Sequence, residues 1–316
     1  MLRCLNSFQQ LRFWLVLSSL LFASLLLSSP SFSNQYNGFI IESPLIPVSD
    51  IKHGGPPRDG IPSIDRPNFI HASQANFLQD TDRVLGITIG QQARAYPVRI
   101  LNWHEIVNDG NVLISYCPLC GTGMAFSAHL SNFGVSGLLY NSDMLLYDRA
   151  TESLWSQILG RAISGKLKGQ YLEMLPLEHT SWGLWRETHP ETLVLSTQTG
   201  YARPYTRSPY GDYHRSDSLY FPVSKQDRRY HPKETVIGIR LNGQYKAYPF
   251  IELDKSSKST IEDELAGEKI NIIFNRQHRS AYITNQLGET IPTITSYWFA
   301  WYAFHPGTLV YTNKTP

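Results

Sequence analysis

Cysteine is scarce in this chain. Of the three cysteines among 316 residues, Cys4 lies in an N-terminal segment that we expect to be removed, so the remaining protein has only Cys117 and Cys120. A second Cys-x-x-Cys pair is absent, which excludes a zinc site built from two such pairs. The two thiols, three positions apart in Cys-Pro-Leu-Cys-Gly, are therefore the natural centre of any metal, disulfide or redox chemistry.

Charge is also scarce. Charged residues make up 17% of the chain, the net charge is +2, and no stripe of lysine and arginine stands out. This gives no basis for nucleic acid as a partner. Aromatic residues, by contrast, reach 12%. Low charge with many aromatics is typical of a tightly packed protein and not of a disordered one.

Long hydrophobic runs are missing after the first thirty residues. The run Phe13–Leu27 follows Arg3 and Arg12 and precedes the small residues Ser31–Ser33. It is shorter than the about 20 residues that a bilayer span needs, which favours a secretory signal cleaved after Ser33. An uncleaved N-terminal anchor is the alternative. We expect an exported protein, periplasmic or extracellular, with no stable membrane span after cleavage.

An internal duplication is visible. The matching segments are Val84–Ile87 with Val236–Ile239, Ala95–Pro97 with Ala247–Pro249, and Trp182, Trp185 and His189-Pro190 with Trp298, Trp301 and His305-Pro306. Matches of this length in one order indicate two unequal copies. The predicted organisation is a signal peptide at 1–33, an N-terminal arm at 34–83, a first repeat at 84–200, a tyrosine-rich linker at 201–235 and a shorter second repeat at 236–316.

Each copy has the same pattern of predicted elements. In the first copy these are a hairpin of Val84–Ile89 and Ala93–Val98, a helix near Leu101–Val107, a strand at Val112–Tyr116 and a helix at Ser181–Thr188 stopped by His-Pro. Strands and helices mix without strict alternation. The sequence therefore predicts an α+β fold of mainly antiparallel strands with short helices, internally duplicated into two unequal halves.

The candidate reactive residues lie in the first copy only. Where it has Cys117–Gly121, the second has Asn275–Arg279, and His104 has no histidine near its counterpart. Most of the extra length of the first copy lies at Phe133–Gln157. Because both copies keep the framework residues, the second works as an internal control that places the chemistry in the first.

The first copy also resembles a known family. The segments Trp103–Asp109, Tyr116–Thr122, Gly134–Asp143 and Leu154–Gln157 together look like the domain of unknown function 3179. Proteins of that family are mostly exported bacterial ones. The resemblance implies the position of a site and carries no established activity.

Three interpretations of the cysteine pair remain open. In the first, Cys117, Cys120 and His104 bind zinc or copper, with His129 or the soft donor Met124 as substitutes for His104. In the second, the two cysteines form a local, reducible disulfide. In the third, a thiolate is the nucleophile and His104 its base.

The Phe133–Gln157 insertion is the candidate wall of a small-molecule pocket. We expect Asn141 and Asp143 to contact a ligand there, and Asp148 and Arg149 to serve a turn. The predicted function is an exported protein whose Cys/His site binds a transition metal beside this pocket. The alternative is a periplasmic binding or redox protein in which Cys117 and Cys120 form a disulfide. Whether it is an enzyme stays open.

Overall fold

The computed structural model describes residues 35–313. The predicted signal peptide, residues 1–33, lies outside these residues. Within the described part, none of the helices has the length and apolar character that crossing a membrane requires. The four α-helices are α1 (Val98–His104), α2 (Trp182–Thr188), α3 (Phe250–Leu253) and α4 (Trp298–Phe304).

Strands dominate the described residues. The N-terminal ones are β1 (Gln35–Tyr36), β2 (Phe39–Ile40), β3 (Ile51–His53) and β4 (Phe69–His71). Next come β5 (Arg83–Ile89), β6 (Gln92–Pro97), β7 (Ile106–Asp109), β8 (Val112–Cys117), β9 (Thr122–Ser127), β10 (Phe133–Tyr140), β11 (Asp143–Asp148), β12 (Leu154–Ser156), β13 (Arg161–Ser164), β14 (Met174–Leu175), β15 (Glu178–Ser181) and β16 (Leu193–Leu195). The last are β17 (Thr235–Leu241), β18 (Gln244–Pro249), β19 (Thr260–Leu265), β20 (Glu268–Asn275), β21 (Ser280–Asn285), β22 (Thr290–Ile291), β23 (Ile294–Tyr297) and β24 (Leu309–Val310).

These strands form mainly antiparallel sheets. The central one has the order β24-β18-β17-β23-β9-β8-β7, with β14 added beside β9. Two five-stranded sheets have the orders β13-β12-β11-β10-β3 and β15-β5-β6-β16-β4. A four-stranded sheet, β19 to β22, and the pair β1-β2 complete the set. The predicted character, mostly antiparallel strands with a few short helices, is confirmed.

The first helix lies three residues earlier than the predicted Leu101–Val107. It ends because Glu105 takes a left-handed conformation, φ +58°, and donates its N–H to the carbonyl of Leu101. The chain then enters β7, which pairs with β8 from Ile106 opposite Ser115 to Asp109 opposite Val112. The apolar residues of Ile106–Val107 therefore belong to a buried strand and not to a helix face.

Two four-stranded units have the same connections. The order β15-β5-β6-β16 in one sheet corresponds to β23-β17-β18-β24 in another. In each unit the first two pairings are antiparallel and the last is parallel. The hairpin register also agrees, with Val84 opposite Pro97 and Val236 opposite Pro249.

A tryptophan covers a glycine in each unit. A side chain at Gly86 would collide with the ring of Trp185, and one at Gly238 with the ring of Trp301. Glycine therefore lets each helix lie close against its strand. Each indole N–H then donates to a threonine in the following loop, at 2.9 Å for Trp185 to Thr192 and 3.0 Å for Trp301 to Thr308.

The apolar core that surrounds the cysteines draws on both halves of the chain. One buried cluster joins residues of β8 to β12 with residues of β17, β18 and α4; it includes Cys117, Cys120, Met124, Phe126, Met144, Trp155, Trp298 and Trp301. The cysteine segment thus lies where the first half packs on the second. Its environment is buried and mostly apolar.

Candidate metal centre

The two cysteines lie in the turn of a β-hairpin. Cys117 is the last residue of β8 and pairs with Thr122, the first residue of β9. The N–H of Cys120 donates to the carbonyl of Cys117 at 3.2 Å, closing the turn. Gly121 completes it with φ +60°, a conformation that side chains disfavour. The turn directs both sulfurs to one side.

A second hairpin turn meets the first. Asn141 and Ser142, at φ +50° and +66°, connect β10 to β11, where Tyr140 pairs with Asp143. Two successive left-handed residues are characteristic of the tight turn that matches strand twist. The carbonyl oxygen of Ser142 faces both thiols, at 3.4 Å from the sulfur of Cys120 and 3.9 Å from that of Cys117.

The two turns bring three potential metal ligands together. One ligand atom each from Cys117, Cys120 and Asp143 lies within 4.8 Å of the others, and this is the one such group of three among the described residues. The sulfur atoms of Cys117 and Cys120 are 3.8 Å apart, so the two cysteines form no disulfide. Sulfurs in a disulfide are about 2.05 Å apart. Two thiolates on one tetrahedral metal ion, with bonds of about 2.3 Å, are about 3.8 Å apart.

Asp143 is a buried carboxyl group with one uncommitted oxygen. Oδ2 accepts a hydrogen bond from the N–H of Ile158 at 3.1 Å, while Oδ1 is buried without a partner among the described residues. Burial raises the pKa of Asp143 to about 7, although nearby N–H groups and the two thiols oppose this shift. A buried oxygen without a partner is costly, and a cation would satisfy it.

Burial also disfavours the ionised form of the two thiols. Burial raises the pKa of Cys117, and it raises the pKa of Cys120 well above its usual range. A thiolate nucleophile needs the opposite, a lowered pKa and access for its substrate. The surroundings therefore favour neutral thiols, or thiolates neutralised by a bound metal ion, over nucleophilic catalysis.

Gln157, the residue after β12, supports this region. Its Nε2 donates to the Ser115 hydroxyl at 2.9 Å and to the Thr122 carbonyl at 3.2 Å, which fixes it to the cysteine hairpin. Its Oε1 is buried without a partner among residues 35–313. Because Gln157 precedes Ile158, it also positions the N–H that binds Asp143.

His104 is occupied elsewhere. Its Nδ1 lies 2.8 Å from the carbonyl of Pro62, which only accepts, so Nδ1 carries the proton and Nε2 accepts from the hydroxyl of Tyr205 at 2.7 Å. Burial lowers the pKa of His104, which keeps the imidazole neutral. It is not in the group of three ligands, and its role as a metal ligand stays a prediction.

The other predicted site residues lie in different environments. Asn141 accepts the N–H of Ser224 at 2.8 Å, and its own Nδ2 is buried without a partner among the described residues. Its contact with a ligand stays a prediction, as does that of Asp143. His129 is exposed, whereas Met124 is buried in the core. The carboxylate of Asp148 accepts from Thr151 and from the Trp155 indole, the turn role that the sequence indicated.

A cavity of about 620 Å³ lies beside the three ligands. None of the three lines it, but their sequence neighbours Leu119 and Met144 do. Its lining also includes Val135 and Leu138 of the Phe133–Gln157 insertion. A volume of this size suits a small organic ligand.

Glu105 is the acidic residue of this cavity. Its carboxylate accepts a hydrogen bond of 2.7 Å from the hydroxyl of Tyr210, a residue of the predicted linker. Burial raises the pKa of Glu105 to about 7, and the bond from Tyr210 partly opposes this. Tyr205 thus ties the linker to His104, the last residue of α1, and Tyr210 ties it to Glu105, the residue that follows. Tyr210 also lines the cavity.

Sequence reasoning did not assign Asp143 to the thiols or Glu105 to the cavity. The signal for Asp143 was present: it lies in the segment that only the first copy has. Glu105 directly follows His104 and gave no separate signal, because its position depends on the left-handed end of α1.

Residues 58–290 match the sequence model of a family described as "Protein of unknown function (DUF3179)". No curated protein and no solved structure matches the chain. The resemblance seen in Trp103–Asp109 and Tyr116–Thr122 is therefore confirmed. Since the match spans well over half of its length, the chain belongs to this family of proteins of unknown function.

Proposed function

We propose that this protein is an exported metal-binding protein that holds one zinc ion with Cys117, Cys120 and Asp143, beside a small-molecule cavity. The supporting observation is the cluster itself: three buried donors within 4.8 Å of one another. The uncommitted oxygen of Asp143 and the sulfur separation of a shared tetrahedral ion both fit this assignment.

Zinc fits the donors better than copper does. Two thiolates and one carboxylate are a mixed soft and hard set, which zinc accepts, whereas Cu(I) selects sulfur donors and disfavours a carboxylate. Zinc held there by Cys117, Cys120 and Asp143 would supply Lewis-acid chemistry.

Elemental analysis of protein purified from its native compartment tests the proposal. We expect about one zinc per chain, and none in a Cys117→Ser/Cys120→Ser double variant. A Cys4→Ser variant is the matched control, because Cys4 lies in the predicted signal peptide. Protein that contains no transition metal, or a double variant that retains it, would contradict the assignment.

The same preparation addresses the redox alternative. If Cys117 and Cys120 form a disulfide in the exported protein, the metal is absent and no free thiol appears on unfolding. Export is tested by N-terminal sequencing of the secreted protein, which we expect to begin after Ser33. A chain that retains Met1 to Ser33 would favour the anchored alternative.

We also infer that the two four-stranded units descend from a duplication, with the boundaries given by the sequence pattern: repeats at 84–200 and 236–316, joined by the linker 201–235. The common strand order, the common register and the two tryptophan–glycine contacts support this. An experimental structure in which β23 and β24 pair unlike β15 and β16 would count against it. In this view the second repeat has a structural role.

A further inference from the structure

The cavity beside the metal cluster has an aromatic wall. Four of its lining residues are aromatic: Trp103, Tyr210, Tyr220 and Phe221. Most of the others are apolar, among them Leu119, Leu139 and Met144. Aromatic rings present a negative face, and such rings attract organic cations in a site that excludes water.

The charges of the wall are distributed unequally. Glu105 is the acidic lining residue and is only 6% exposed. Its Oε1 accepts from Tyr210, while Oε2 takes part in none of the hydrogen bonds found among residues 35–313. The basic lining residue, Arg203, is exposed, with its guanidinium 5.9 Å from the ring centroid of Trp103. The interior therefore holds the acidic group and the exposed surface the basic one.

We propose that this cavity binds an organic ammonium ion with an apolar or aromatic body. The ammonium group donates to Oε2 of Glu105 and lies against the aromatic rings, while the body fills the space beside Leu119 and Met144. The inference deepens the pocket named in the proposed function, and it does not require the metal, since none of the three metal ligands lines the cavity.

An anion or a neutral ligand fits this wall less well. An anion that fills the cavity would meet the buried carboxyl group of Glu105 and the negative faces of the rings. A neutral molecule would leave Oε2 of Glu105 without a cationic donor, whereas an ammonium ion would pair with it and favour its ionised form. Arg203 at the exposed side remains available to an anionic end of the ligand.

Three indole compounds of similar size and different charge test the proposal: tryptamine, its neutral analogue tryptophol and the anion indole-3-acetate. Calorimetric titration of the full chain should show tryptamine binding about tenfold or more tightly than tryptophol, and indole-3-acetate most weakly. Equal affinities for tryptamine and tryptophol, or tighter binding of indole-3-acetate, would overturn it. This comparison uses the unchanged protein, so it does not depend on whether a variant folds.

Glu105→Gln should remove the preference for tryptamine over tryptophol. Glu178→Gln is the matched control, because Glu178 is a half-buried carboxyl group whose pKa burial also raises, and it lies away from this cavity. The Cys117→Ser/Cys120→Ser variant separates the two proposals: loss of zinc with retained tryptamine binding leaves the cavity assignment intact. If the unchanged protein contains zinc but binds tryptamine no more tightly than tryptophol, the cavity assignment is wrong and only the metal assignment stands.

Discussion

The ring of Tyr297 fills the space beside Gly121 in which a side chain would lie. A Cβ atom added to Gly121 would be 2.8 Å from two carbons of that ring. The N–H of Tyr297 also donates to the carbonyl of Cys120 at 2.8 Å. Tyr297 ends β23, in the second half of the chain, so the second half fixes the geometry of the cysteine turn in the first.

Gly121→Ala should therefore destabilise the protein strongly. The left-handed backbone costs about 1–2 kcal/mol for a residue with a side chain, and the collision with Tyr297 adds about 1–3 kcal/mol. Gly90→Ala is the control, since Gly90 has φ +61° but open space around it. Urea unfolding of both variants measures the difference, and equal losses would show that Tyr297 does not confine the turn.

Asn141→Ala should lower the free energy of unfolding by about 1–2 kcal/mol. It removes the acceptor of the Ser224 N–H and places alanine at φ +50°. Asn141→Gly removes the same acceptor but tolerates the backbone, so its loss should be smaller. If the two variants are equally stable, the left-handed turn contributes nothing to the position of Ser142 and Asp143.

His179 should make stability depend on pH below neutrality. Its Nε2 lies 3.1 Å from the N–H of Gly123, and burial lowers its pKa from 6.5 to about 4. As the pH falls, the unfolded chain takes up this proton first. The contribution is complete above pH 6.5 and is lost progressively towards pH 4, by about 3 kcal/mol.

The measurement is a comparison of the unchanged protein with His179→Gln in urea at pH 7.5 and pH 5. The variant should lose less stability between the two, because glutamine does not titrate. Parallel losses in the two proteins would mean that His179 is protonated as easily in the folded chain as in the unfolded one.

The thiols should resist modification until the chain unfolds. Cys117 is 1% exposed and Cys120 is fully buried. In a metal-free Cys4→Ser chain, dithiobis(nitrobenzoate) should react with neither thiol in the folded protein and with both in concentrated urea. Rapid reaction in the folded state would show that the hairpin turn opens, and no reaction in urea would reveal a disulfide.

Much of the framework could be predicted because it depends on local patterns. Alternation gave the hairpin of β5 and β6, and the His-Pro pair gave the end of α2, which begins after the Ser181 cap. The predicted first helix begins and ends three residues too late, since the apolar residues Ile106 and Val107 suit the end of a helix or the start of a buried strand. The division between helix and strand at Glu105 depends on a left-handed residue that is not glycine.

The candidate site was predictable in position but not in composition. The cysteines identify the place, because both lie in one short turn. The third donor depends on which residue of the second hairpin lies beside the two sulfurs, and this is set by the left-handed conformations of Asn141 and Ser142, which precede Asp143. His104 was the reasonable sequence candidate, yet Pro62 and Tyr205, 42 and 101 positions away, hold its two nitrogens.

The choice between Asp143 and His104 as the third donor tests the account most directly. We would measure zinc affinity by chelator competition for the unchanged protein, Asp143→Asn and His104→Gln. The structure predicts a loss of more than about tenfold for Asp143→Asn and an unchanged affinity for His104→Gln. The reverse result, with zinc lost from His104→Gln and retained by Asp143→Asn, would contradict the assignment of the two hairpin turns as the metal centre.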